Sequence, residues 1–224
     1  MDSILYSQLR NRRAILFSII FLVSFLLVAL FKSSFAAVDA ELNFWAASNQ
    51  ISSFTFVARG IDLAFEFISL MILTLIIALI LLILNNWKGS LLLGGAMAGD
   101  ALLISLTKAL VHSSRPVNEL ILETGYSFPS GHVAGTVVFF GILTYLAWKH
   151  WSSKKTRAAT GTAFAVVTVL IGFDRVYLNV HWFSDVVGGA FLGAMWLAFS
   201  IFVYEYLASH QNLSIQGQRK AGVA

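Results

Sequence analysis

The stretch FEFISLMILTLIIALILLIL, residues 65–84, holds a single charge, Glu66, near its start and is otherwise almost wholly apolar. A helix crossing the hydrocarbon layer needs roughly 20 such residues at ~1.5 Å of rise each, so this segment alone is long enough to span a bilayer. Working outward, five more apolar segments follow the same pattern: Ala14 to Phe31, Ser90 to Val111, Val133 to Trp148, Ala158 to Phe173 and Val186 to Leu207. The last stands as clearly as the first. The segments opening at Val133 and Ala158 are short by strict count. They reach a full span only if the polar residues at their ends, around His132 and at Asp174 and Arg175, lie at a watery mouth of the protein. The fold read from this pattern is an all-α bundle of six transmembrane helices.

Composition agrees with a bilayer as solvent. With 224 residues, 58% hydrophobic and 12% charged, the chain is too apolar for an ordinary soluble domain and suits one compact domain over residues 1–224. The absence of cysteine excludes disulfides and thiolate metal sites. The net charge of +4 is informative through its placement, because Lys and Arg in short loops set orientation. Arg10, Arg12, Arg13, Lys88, Lys149, Lys154, Lys155, Arg157, Arg219 and Lys220 fall on one side of the six spans; Lys32, Arg59, Arg115 and Arg175 fall on the other. The expectation is a multi-pass plasma-membrane protein with both termini cytoplasmic and its motif-bearing loops on the extracytoplasmic face. The basic start, the apolar run and Ser34, Phe35 and Ala36 resemble a signal peptide, but the run exceeds the usual ~7 to 15 residues, so an uncleaved helix is expected. Lys32 to Gly60 reads as a short interfacial piece using Phe44 and Trp45, and Gln211 to Ala224 as a polar, frayed tail.

Ionisable residues inside a span are expensive and usually face the bundle interior, water or a partner. Lys108 is one, and Arg115 follows seven residues later, two turns on along one helical face, before Pro116 ends the helix. Two cations then converge on one spot, although Lys108 alone could simply snorkel to the interface. Asp100, deeper in the same segment, reads as a buried structural carboxylate paired with a polar group on another helix, ahead of a catalytic role. Glu66 reads as interfacial.

In SFPSGHVAG, residues 127–135, Pro129 and Gly131 suit a tight turn and Ser130 suits the N-cap of the next helix. Free N–H groups and the positive end of the helix dipole then favour an anion, beside which His132 can hold or donate a proton. An isolated histidine at a helix start would more often be a surface or capping residue. In DRVYLNVHWFSD, residues 174–185, His181 and Asp185 are four apart, so a helix beginning near Trp182 or Ser184 brings the carboxylate within reach of the imidazole. That is a nucleophile with its orienting group; a structural N-cap beside an interfacial histidine is the plainer alternative. Arg175 adds a planar guanidinium suited to phosphate oxygens.

Together, Lys108-x6-Arg115-Pro116, Pro129-Ser130-Gly131-His132 and Arg175-x5-His181-x3-Asp185 resemble the three-part signature of the type 2 phosphatidic acid phosphatase family. The signature covers residues 108–185, and the six-segment layout extends the resemblance over nearly the whole chain. One position departs from it: family members commonly carry Ser before the Arg of the third motif, and this chain has Asp174. A carboxylate there repels phosphate unless it points away or pairs with Arg175.

The resemblance implies hydrolysis of a lipid phosphate monoester or diphosphate through a phosphohistidine, with no metal and no cofactor. It makes His181 the nucleophile, Asp185 its orienting group and His132 the acid and then base. Lys108, Arg115, Arg175, the Ser130 hydroxyl and the Gly131 N–H would hold the phosphate oxygens. The expected partners are a phosphorylated lipid and the bilayer, with no nucleic acid and no obligatory protein partner. A polyprenyl diphosphate such as the undecaprenyl or dolichyl carrier is favoured, with phosphatidylglycerol phosphate or phosphatidic acid next. The rivals are a small transporter or channel using Asp100, Lys108 and Arg175, and a catalytically degenerate member acting as a binding protein.

Overall fold

The computed structural model describes residues 3–221, with side chains described for Leu9 and for residues 11–209. Arg10, Arg219, Lys220 and the polar tail from Gln211 fall beyond those side chains, and residues 222–224 lie outside the described part. Among the described residues every regular element is a helix: α1 (Ser3–Leu30), a 3-10 turn (Lys32–Phe35), α2 (Ala36–Ser48), α3 (Ser52–Phe65), α4 (Phe67–Ile83), α5 (Trp87–Val111), α6 (Gly131–His150), α7 (Lys154–Tyr177) and α8 (Phe183–Ala221).

Five helices, α1, α5, α6, α7 and α8, are long and apolar enough to cross a membrane, and α3 with α4, bent by 50° at their junction, are so only when taken together. The protein is an all-α, multi-pass membrane protein. The break falls inside the segment that read as self-sufficient. Glu66 takes an extended backbone, with ψ of 164°, so residues 65–84 do not form one continuous helix. Ser69 Oγ donates to the Leu63 carbonyl across the break at 2.6 Å, satisfying a backbone group that the missing turn would otherwise leave bare. The segments that looked short reach 20 and 24 residues as α6 and α7 by carrying His132, Asp174 and Arg175 within their ends, but Asp174 and Arg175 are buried there and not at a watery mouth. The piece from Lys32 to Gly60 is more ordered than an interfacial strip. It forms the 3-10 turn, α2 and most of α3, and packs over the end of the bundle.

Helix α6 is the most buried of the spans, 56% of its apolar stretch lying inside the bundle against 17% for α1. Its inner face joins Leu93, Met97, Val138, Phe139 and Ile142 in the main apolar core between α4, α5 and α6. On its other side α8 approaches closely through small residues. A Cβ on Gly189 would stand 2.5 Å from the Ser130 carbonyl oxygen, and one on Gly193 would stand 2.8 Å from that of Ala134. These two glycines, one turn apart, let the backbones of α6 and α8 come together and so fix where α6 begins. The ends of α1, α3, α5 and α7 and the starts of α6 and α8 therefore meet at one end of the bundle, roofed by α2.

Candidate active site

His181 lies in the short connection between α7 and α8. Asn179 turns the chain with a positive φ of 57°, and the N–H groups of Val180 and His181 return to the Arg175 carbonyl at 3.2 and 3.4 Å. Leu120 donates to the Leu178 carbonyl at 2.9 Å and ties the connection to the 112–130 loop. Helix α8 then begins at Phe183, as the motif spacing requires. Asp185 Oδ2 accepts from the Trp182 N–H at 2.9 Å, one half of a capping box. Asp39 on α2 accepts from both the N–H and the hydroxyl of Ser184, at 2.9 and 2.7 Å. The start of α8 is thus held by two carboxylates, one local and one from α2.

The same Asp185 Oδ2 faces His181 Nδ1 at 3.5 Å without closing a hydrogen bond. Its other oxygen pairs with Lys32 Nζ at 2.8 Å. Lys32 also donates to Ser113 Oγ at 2.7 Å and lies 5.5 Å above the Phe128 ring. His181 is only 3% exposed, and burial pushes its pKa down to about 3, outweighing the opposite pull of Asp185. The ring is therefore neutral at physiological pH, with Nδ1 turned towards Asp185.

Arg175, fully buried, spreads its guanidinium among acids and one histidine. Nη2 donates to Asp174, and Nη1 donates to Asp62 Oδ1 at 2.5 Å and lies 3.2 Å from His132 Nε2. Asp62 Oδ1 is itself 3.2 Å from His132 Nε2. Asp174 pairs with its neighbour, the arrangement that keeps its charge off an incoming phosphate. Arg115 occupies a different setting from the one the spacing suggests. Helix α5 ends at Val111, where His112 adopts a left-handed φ of 51° and its N–H closes on the Lys108 carbonyl at 3.2 Å. Arg115 therefore sits in the loop, not two turns along a helical face. Three carbonyls fix it, those of Val180 at 2.7 Å, Gly125 at 3.1 Å and Thr124 at 3.3 Å, with Glu123 at 3.3 Å.

One cavity of about 310 Å³ collects much of this chemistry. Lys108, Gly131, His132, His181 and Glu123 line its polar part; Phe65, Phe67, Leu70, Met71, Met97 and Ile104 line its apolar part. Asp185 lies behind His181, Arg175 beside His132, and Arg115 is anchored on the residue before His181. Ser130 occupies the N-cap position of α6, but its buried hydroxyl caps nothing and has no hydrogen-bond partner among the described residues. Asp100 also lines the cavity, only 2% exposed, and the expected polar partner on another helix is absent: its Oδ1 is unpaired among the described residues. The facing position on α6 is Gly135, which has no side chain to offer. A second cavity of about 360 Å³, at the opposite end between α5 and α8, is lined by no histidine or carboxylate.

Beside Asp174 and Asp185 of the third motif, the structure brings Asp62 and Glu123 to the site. With His132 they form the one group of potential metal ligands among the described residues, their ligand atoms within 4.8 Å of one another. Arg175 Nη1 stands 2.5 Å from Asp62, 3.2 Å from His132 and 3.8 Å from Glu123, so a fixed cation already fills the middle of that group. Asp39, Asp62 and Glu123 carry no motif that marks them in the sequence, and Lys32 counts there only as an outer loop charge. A signal existed for Asp62, an ionisable residue in an apolar stretch, but placing the span's start at Phe65 left it outside.

Two imidazoles, several cations and a cavity running into the apolar bundle define a multi-pass helical membrane protein with an ionisable pocket at one end. The PAP2 superfamily model matches residues 89–208, over half of the chain and inclusive of all three motifs, and the chain belongs to that family. It is 35% identical over 114 residues to phosphatidylglycerophosphatase B of Bacillus subtilis, a match covering 50% of this chain and 55% of that protein. It is 43% identical over 68 residues to a putative undecaprenyl-diphosphatase of Escherichia coli, covering 30% of this chain and 29% of that one. It is 35% identical over 101 residues to an undecaprenyl-diphosphatase of Sulfolobus acidocaldarius, covering 42% and 44%. These matches thus span about half or less of the relatives' own lengths. Among solved structures, a transmembrane PAP2-type phosphatidylglycerolphosphate phosphatase from Bacillus subtilis superimposes with a TM-score of 0.76 at 26% identity, over 82% of this chain and 94% of that one.

Proposed function

We propose that this protein is a membrane phosphatase that removes the terminal phosphate of a lipid, with His181 as a covalent nucleophile. The observation that carries the reading is His181 itself: a buried, neutral imidazole whose Nδ1 turns towards Asp185 while the residue faces the cavity shared with His132 and Lys108. The second ring nitrogen, Nε2, is then the attacking atom.

In the first step Nε2 bonds to phosphorus and the bond from phosphorus to the leaving oxygen breaks. His132 gives that oxygen a proton, and Asp185 stabilises the imidazolium formed at His181. In the second step His132 takes a proton from water, the water oxygen bonds to phosphorus, and the phosphorus–nitrogen bond breaks to release inorganic phosphate. Lys108, Arg115, Arg175, the Ser130 hydroxyl and the Gly131 N–H stabilise charge on the non-reacting oxygens. No metal enters these steps. The charge bias of the loops supports cytoplasmic termini and a site at the outer face.

The apolar part of the cavity supports a lipid, whose tail stays in the bundle while its headgroup meets the histidines. A polyprenyl diphosphate remains the favoured substrate, supported by the two undecaprenyl-diphosphatase relatives. A second reading, phosphatidylglycerol phosphate, draws on the Bacillus subtilis phosphatidylglycerolphosphate phosphatase, whose fold matches along most of its length. Phosphate release by the purified protein, with chelator present, from a prenyl diphosphate, phosphatidylglycerol phosphate and phosphatidic acid separates these. His181→Ala should abolish release on the best substrate without changing the protein's elution or melting, and an alkaline quench of the wild type should trap phosphate on His181. Full activity in His181→Ala rejects the covalent role, and loss of activity to chelator rejects metal independence.

A further inference from the structure

The free protein already holds an anion where the proposed reaction needs the substrate's. Asp62 Oδ1 bridges Arg175 Nη1, at 2.5 Å, and His132 Nε2, at 3.2 Å, and those two nitrogens are themselves 3.2 Å apart. An oxygen between a guanidinium and the proton-carrying nitrogen of an acid is the environment of a leaving phosphate-ester oxygen. Glu123 adds a second carboxylate to the same cations, 3.8 Å from Arg175 and 3.3 Å from Arg115.

The geometry points to Asp62 as a specificity-determining residue: its carboxylate occupies the phosphate site in the free protein, and a substrate must displace it. The inference rests on the phosphatase reading above. Asp62 is not placed as an orienting group. Asp185 approaches His181 at Nδ1 and leaves the other nitrogen for chemistry, whereas Asp62 takes the nitrogen of His132 that lies beside Arg175. A carboxylate there blocks proton transfer to any substrate until it moves.

Displacement is feasible for three reasons. Asp62 is the least buried member of its cluster apart from Glu123, with 19% of its side chain exposed against none of Arg175's. Arg175 keeps Asp174 on its other nitrogen, so removing Asp62 does not strand a buried charge. Asp62 also sits in the last turn of α3, separated from the α4 span by the break at Glu66, whose flanking Phe65 and Phe67 line the cavity. A lipid entering between those rings contacts the element that carries the displaced acid.

The consequence is selection by charge. A terminal phosphate brings two negative charges and three oxygens to Arg175 and Lys108, enough to replace one carboxylate, whereas a singly charged phosphodiester brings one and does not. The same competition favours release of inorganic phosphate after each turnover. Asp62 lies outside residues 89–208, so the device belongs to the part of the chain beyond the family match.

Asp62→Asn removes the charge with little change of shape. Binding of inorganic phosphate and orthovanadate, followed by calorimetry in detergent, should tighten about tenfold, and KM for the best lipid should fall in step, as expected when one charge-assisted competitor is lost. Asp62→Glu should keep the weaker wild-type affinity. Unchanged or weaker anion binding in folded Asp62→Asn overturns the proposal. Because calorimetry needs no turnover, an inactive protein that still shows tighter binding in Asp62→Asn would discard the phosphatase reading and keep the anion competition. Should Asp62→Asn not fold, hydrogen exchange on the wild type decides: vanadate should speed exchange in residues 52–65 while protecting 178–185. Protection of both overturns it.

Discussion

In the His181–Asp185 pair the carboxylate comes from the next turn of the chain and meets Nδ1 at 3.5 Å; in the His132–Asp62 pair it comes from a different helix and meets Nε2 at 3.2 Å. The first carboxylate is fully buried and held on three sides, by the Trp182 N–H, the His181 ring and Lys32. The second is partly exposed and rests on a helix end beside a break. A local pair with a buried, multiply fixed acid is suited to a permanent setting. A long-range pair on the reactive nitrogen is suited to being opened. Electrostatics alone would class the two together, and only the nitrogen contacted and the rigidity of the acid's support tell them apart.

Changes that convert a fixed acid into a weak one should have the largest effect. Asp185→Asn keeps an oxygen for the Trp182 N–H, so α8 should still start at Phe183, but it loses the charge that steadies the His181 imidazolium. Turnover should drop by ~10³–10⁴-fold, measured as kcat on the best lipid. A drop of less than tenfold would place the two pairs on an equal footing. Lys32→Met should act on the same side of the comparison at one remove. It removes the 2.8 Å ion pair behind Asp185, and kcat should fall by roughly tenfold while KM stays near its wild-type value. A change confined to KM would make Lys32 a substrate contact instead. Asp62→Asn has the opposite sign for binding, as described above.

The smallest effect is on stability and concerns His181 alone. Its pKa falls from 6.5 to about 3 on folding. Above pH 6.5 the ring is neutral in both states. Below it, the unfolded chain takes up a proton that the folded protein refuses, so stability declines as pH falls from 6.5 towards 3. Melting in detergent across that range should be steeper for the wild type than for His181→Asn. Parallel curves would mean that the ring is hydrated and open in the folded protein.

Much of the molecule was legible in the residues. Five of the six apolar segments coincide with single helices long enough to cross a membrane, and the pairing of Asp174 with Arg175 is one of the two arrangements open to it. The same reasoning failed where a local rule competed with a tertiary one. A count of apolar residues made 65–84 one span because Glu66 is a single charge, yet its extended backbone breaks the helix there. The spacing of Lys108 and Arg115 fits a continuous helix face, but the chain leaves the helix at His112, and Arg115 finds its partners among loop carbonyls. Asp100 looked like half of a polar pair; a glycine faces it.

By itself the sequence determined the solvent, the all-helical architecture and the order of the three motifs, because hydropathy and i to i+4 spacing act over distances the chain sets covalently. The tertiary structure alone decided which carboxylates stand beside which imidazole nitrogen. Asp39, Asp62 and Lys32 reach the site from segments remote in the chain, Asp39 to Ser184, Lys32 to Asp185 and Asp62 to His132 and Arg175. Contacts of that kind depend on how whole helices pack, and no pattern within one segment encodes them.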